Sequence, residues 1–131
     1  LEKGLSETIS FLLAYNKKIL IVGDVPSFPQ GVMKCLGVRP LNIAREPKCE
    51  MNAQRNKKEN SKIEETLAKV AQNYESVEFI NISDIFCDQD VCKMKKKGVF
   101  LYRDNNHLSV EGSIKVSNKI TQKLEELELT N

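Results

Sequence analysis

The stretch KILIVGDV, residues 18–25, decides how the rest of the chain is read. Its apolar residues Ile19, Leu20, Ile21 and Val22 are consecutive, not alternating. That is how a strand covered on both faces reads, and such strands belong to parallel sheets with helices on either side. A helical pattern, Leu5, Ile9, Leu12 and Leu13, precedes it and predicts a helix over 5–16. After it, residues 26–58 hold prolines, two cysteines and no clean period, which reads as a long structured loop. Ser61 and Glu64 have capping-box spacing, and Ile63, Leu67, Val70, Ala71 and Tyr74 fall on one helical face. VEFINI, 77–82, is a second short strand. The last helix is expected from Val110, with Ser109 as N-cap and a stripe of Val110, Ile114, Ser117, Ile120, Leu124 and Leu127.

Two strands joined through a helix form a parallel crossover. The expected fold is therefore α/β: part of a three-layer, doubly wound, flavodoxin-like parallel sheet with flanking helices. Residues 1–131 read as a single unit, and the unpaired edge of the first strand, Ile19–Val22, is expected either to mediate association between copies or to be covered by the 26–58 loop.

Composition narrows the function. The chain is 40% apolar and carries a net charge of +2, with acids and bases interspersed. That gives no basic field for nucleic acid. The absence of Trp also leaves little to stack on bases. No apolar run reaches membrane-spanning length. The basic run Lys93–Lys97 reads as solvated surface.

Cys35, Cys49, Cys87 and Cys92 suit two disulfides and an oxidising compartment. Three pairings are formally open. Cys87 and Cys92 bracket four residues and close most easily, which leaves Cys35 with Cys49 across a loop containing Pro40 and Pro47. Four thiols in a reducing compartment are the alternative. No pair has zinc-knuckle spacing, so no metal is expected.

The one histidine, His107, follows Asp104 by three residues in YRDNNHLS, between the second strand and the last helix. Sites in parallel sheets gather at the carboxyl ends of strands. One turn can bring the carboxylate to Nδ1, leaving Nε2 to act as a base. On spacing alone, a surface aspartate turn followed by an unrelated histidine is the better explanation, because D-x-x-H is common by chance.

The fuller pattern carries a resemblance. LYRDNNHLSVEGS resembles the last block of the SGNH hydrolase superfamily. With FCDQDVC just upstream and VPSFPQGVMKCL after the first strand, it is most similar to the SGNH-like C-terminal domain of bacterial membrane acyltransferase-three proteins. The resemblance implies a triad in which Asp104 is the acid and His107 the base, with Ser109 as a cap. It implies transfer of an acetyl or other acyl group to a sugar hydroxyl of a surface polysaccharide.

The donor, acetyl-CoA or an acyl-enzyme, would be handled by the rest of the protein, so no cofactor is expected on this chain. The expected partners are the carbohydrate acceptor and an N-terminal membrane acyltransferase domain in the same polypeptide. The expected location is periplasmic or otherwise extracytoplasmic. An esterase removing acetyl groups is the alternative enzyme, and a non-catalytic extracytoplasmic binding domain is the alternative outside enzymes.

The family's serine sits in a Gly-Asp-Ser block after its first strand. Here Gly23-Asp24-Val25, with Val in that place, only mimics the block: the PSFPQGVMKCL after it is similar to what the family carries after its fourth strand. Too little chain separates Gly23 from His107 to hold the intervening strands, and neither Asn42 nor Asn105–Asn106 lies in a Gly-x-Asn-Asp context. The chain therefore reads as the C-terminal portion of the domain. The nucleophile and oxyanion donors are expected upstream, and these residues alone are expected to be inert.

Overall fold

A computed structural model describes residues 1–35 and 49–129. Pro40, Asn42 and Pro47 lie outside them. The elements are α1 (Glu2–Leu13), β1 (Ile19–Val22), a one-turn α2 (Val32–Cys35), β2 (Glu50–Asn52), α3 (Ala53–Gln72), β3 (Val77–Ile80), β4 (Val91–Lys93), β5 (Lys95–Lys96), β6 (Val99–Phe100) and α4 (Val110–Leu129). The fold is α/β. β1 and β3 pair in parallel with Ile19 opposite Val77 and Val22 opposite Ile80, and α3 makes the crossover between them.

The pleat sorts the two strands by residue number. Ile19, Ile21, Val77 and Phe79 pack with Ile9 of α1 and Val70 and Ala71 of α3. On the opposite set, Glu78 reaches Lys123 of α4 at 3.6 Å. Helices thus contact both faces. All four β1 residues are nonetheless only half-buried, short of the expected full burial. Among the described residues β3 is the only strand paired with β1, and a strand laddered on one edge keeps backbone and side chains open on the other.

Helix ends depart from the sequence reading for local reasons. α1 stops at Leu13, and Asn16 turns the chain with a left-handed φ of 55°, which asparagine tolerates better than most residues. α3 starts at Ala53, inside the expected loop, and Ser61 lies within the helix, so the Ser61–Glu64 capping box is not its start. The true cap is Asn52, whose Oδ1 accepts the N–H groups of Gln54 (2.8 Å) and Arg55 (3.3 Å). The first turns of α3 are polar and were invisible to an apolar-period argument. Of the face expected to be buried, Val70 and Ala71 are, whereas Ile63 is exposed.

The larger core lies elsewhere, in segments whose sequence reads as loop. It holds Phe28, Val32, Met51, Phe86, Cys92, Met94, Leu101 and Tyr102. Two antiparallel ribbons build its shell, β2 with β4 and β5 with β6. The Lys93–Lys97 run is therefore strand rather than plain solvated surface. Met94 inside it is fully buried, and Lys96 Nζ donates to the Ile85 carbonyl at 2.6 Å. Burying side chains the size of Leu101 and Met94 is worth about 1.5–3 kcal/mol each.

Cys87 and Cys92 are joined by a disulfide. Cys35 and Cys49 are not, which corrects the second expected bridge. Their thiols lie beside each other without being bonded: Cys35 Sγ is also 3.6 Å from Met94 Sδ, and Cys49 Sγ donates to the Cys35 carbonyl at 3.6 Å. Burial first, then the Cys49 thiol, pushes Cys35 up to about 12. Oxidation proceeds through a thiolate, and this site disfavours one.

α4 docks through Gly112, where a Cβ would collide with the Leu101 carbonyl oxygen. That contact sets which face turns inward. Val116 packs on the larger core, while Val110, Ile114 and Leu124 of the expected stripe are exposed.

Candidate active site

The loop between β6 and α4 is closed by backbone bonds. Tyr102 and Leu108 form an isolated antiparallel bridge, and Arg103 N–H donates to the His107 carbonyl at 2.8 Å. Inside it, Asp104 Oδ1 accepts the N–H groups of Asn106 (3.0 Å) and His107 (2.7 Å). This is an aspartate turn, a conformation Asp adopts because its side chain substitutes for a backbone acceptor. It brings the other carboxylate oxygen, Oδ2, to 2.7 Å from His107 Nδ1.

The backbone N–H of Asn106, then that of His107, then the imidazole itself, hold the Asp104 carboxyl down to about 2. Asp104 is therefore an anion at neutral pH and can only accept. Nδ1 must carry the proton shared with it, which leaves Nε2 as the lone-pair nitrogen of a neutral ring. The two side chains are 40% and 63% exposed, so Nε2 is open to an incoming hydroxyl.

The expected cap is in place. Ser109 Oγ donates to the Phe100 carbonyl (2.8 Å) and accepts Gly112 N–H (3.1 Å), which occupies its hydroxyl in starting α4. Among the described residues no hydroxyl is hydrogen-bonded to the His107 ring. Asp24, at the carboxyl end of β1, binds its neighbouring Val25 N–H at 2.7 Å. It lines a cavity of about 240 Å³ with Asn60, Ile63 and Glu64. A second cavity of about 450 Å³, lined in part by Asn56, Glu64, Asn81 and Asp88, opens beyond β3. His107 lines neither. Among the described residues no cluster of three His, Cys, Asp or Glu side chains is disposed to hold a metal ion. No described helix is long and apolar enough to cross a membrane.

An Asp–His pair held by its own turn, at the carboxyl end of a parallel α/β sheet, fits the family pattern read from the sequence. Comparison with family models matches the family "SGNH domain (fused to AT3 domains)" over residues 1–122. The chain belongs to that family. No curated protein and no solved structure matches it. The SGNH domain is thus of the kind associated with acyltransferase-three domains, which assigns it to esterase or acyltransferase chemistry in the broad sense. What sequence reasoning did not assign is the role of Phe28, inside the VPSFPQGVMKCL stretch that carried part of the resemblance, which touches the Asp–His loop from the β1 side. Its local signal was an aromatic residue between two prolines directly after a strand, Pro26-Ser27-Phe28-Pro29.

Proposed function

We propose that this SGNH domain serves an O-acyltransferase that moves an acetyl or other acyl group onto a sugar hydroxyl of a bacterial surface polysaccharide. In this reading His107 is the general base and Asp104 its orienting acid. The serine nucleophile and oxyanion donors come from polypeptide outside residues 1–131. The domain works in an extracytoplasmic space, attached to a membrane acyltransferase domain that delivers the acyl group from acetyl-CoA or an acyl-enzyme. Membership of a family fused to acyltransferase-three domains supports transfer over hydrolysis.

The observation that carries the proposal is the 2.7 Å contact between Asp104 Oδ2 and His107 Nδ1, with the ring's far side exposed. Nε2 takes the proton as a hydroxyl oxygen attacks the acyl carbon, and the fixed carboxylate stabilises the imidazolium that forms. The proton returns to the leaving oxygen when the acyl-enzyme forms. The same cycle with a sugar hydroxyl completes the transfer.

The test is the ester content of the surface polysaccharide in cells carrying His107→Ala in the full-length protein, at matched protein level. Loss of acylation is expected, with a strong reduction for Asp104→Asn because the amide permits the wrong tautomer. Wild-type acylation in the His107→Ala strain would overturn the reading.

A further inference from the structure

The Asp104–His107 pair is exposed, so burial does not hold it. Its own hydrogen bonds run between residues 101 and 109 and fix the loop's shape, not its place in the molecule. On one side the place is set by α4, rooted on Leu101 through Gly112. On the other side it is set by the segment leaving β1.

We propose that residues 26–31, anchored by Phe28, are the positioning element that ties the Asp104–His107 pair to the parallel sheet. Three contacts support this. Phe28 N–H donates to the carbonyl of Asn105, the residue after Asp104, at 2.8 Å. The Phe28 ring, 3% exposed, meets the Tyr102 ring edge-on with centroids 4.9 Å apart. At Gly31 a Cβ would stand 3.7 Å from Asn105 N and 3.9 Å from Asp104 C, so its backbone already lies alongside the loop. Pro26 is fully buried, and Gly23 N–H continues the sheet ladder to the Ile80 carbonyl at 2.9 Å. The path from β3 through β1 and Phe28 to Asn105 is therefore continuous.

An Asp and a His three residues apart need no such tie to find each other. A base that must meet a nucleophile carried on a different element does. A displacement of about 1 Å at a reacting group can cost about 10²-fold in rate. Phe28 acts through the loop and touches no reacting atom. The catalytic part of this inference rests on the function proposed above, whereas the structural part does not.

The structural part is readable from the contact between the two segments, since a Gly31 Hα proton stands within nuclear Overhauser reach of the Asn105 amide proton. Phe28→Ala is compared with Phe28→Leu, which keeps apolar bulk, and with Val70→Ala. Val70 is fully buried in the other core, away from the loop, and controls for lost stability. In this chain, the Gly31–Asn105 Overhauser contact should be present in the wild type and in Val70→Ala. It should be weakened or lost in Phe28→Ala and largely restored in Phe28→Leu. In the full-length protein, kcat for sugar acylation should fall about 10- to 100-fold in Phe28→Ala with KM for the donor little changed.

Where Phe28→Ala does not fold, Phe28→Leu carries both arms, with a smaller fall in kcat at an intact fold. A Phe28 variant with the wild-type Gly31–Asn105 contact and the kcat of Val70→Ala would overturn the proposal. Full activity in His107→Ala would instead remove the catalytic reading and leave the Gly31–Asn105 contact to decide the positioning.

Discussion

Tyr102→Phe should stabilise this protein. Tyr102 is 1% exposed, and its hydroxyl is the one buried side-chain polar atom among the described residues with no hydrogen-bond partner. Burial, and secondarily the negative charge of Asp24, drives the phenol far above its ordinary range, so it stays protonated and has a proton to donate. A buried hydroxyl left unsatisfied costs about 1–3 kcal/mol. Removing it leaves a void of roughly 10 Å³, which at ~24 cal/mol per Å³ takes back only about 0.2 kcal/mol. The ring's edge contacts, 4.9 Å to Phe28 and 5.1 Å to Phe86, survive in phenylalanine.

The net expectation is a gain of about 1 kcal/mol, or a rise of roughly 3–6 °C in Tm for a domain of this size. Urea unfolding followed by circular dichroism measures it, with an unchanged m-value showing that only stability moved. A loss of about 1 kcal/mol or more would refute the reasoning, because it would mean the hydroxyl has a partner in the folded protein.

The Asp104 turn should be acid-sensitive in a defined window. Its folded pKa lies below the ordinary value, from 3.8 down to about 2, so the turn is fully formed above the ordinary carboxylate value and is lost as pH falls through the folded one. Amide shifts of Asn106 and His107 should titrate with a midpoint near 2, and a midpoint at 3.8 or higher would contradict the hydrogen bonds assigned to Oδ1. In protein denatured without reductant, alkylation should label Cys35 and Cys49 and spare Cys87 and Cys92. Recovery of a peptide linking Cys35 to Cys49 would restore the pairing first expected from the sequence.

The sequence by itself determined the parallel pair. Four consecutive apolar residues, Ile19–Val22, and the VEFI of Val77–Ile80 form strands wherever a helix can cover them, and the intervening α3 supplies that cover. It also determined the Asp104–His107 contact, because an aspartate turn and a three-residue spacing are local properties of the backbone. Ser109 as cap was legible for the same reason.

What only the tertiary structure decided depends on residues distant in sequence. The start of α3 rested on the side chain of Asn52, not on any apolar period. The exposure of Val110, Ile114 and Leu124 followed from the close approach of Gly112 to Leu101, which chose a different face of α4 to turn inward. Cys35 and Cys49 lie beside each other as thiols, in a pocket that Met94, far along the chain, helps to close over Cys35. The contact of Phe28 with Asn105 and Tyr102 spans more than seventy residues and has no periodicity to announce it. Local geometry makes an acid and a base meet, but where that pair stands relative to the sheet is set by packing between segments that the sequence leaves unrelated.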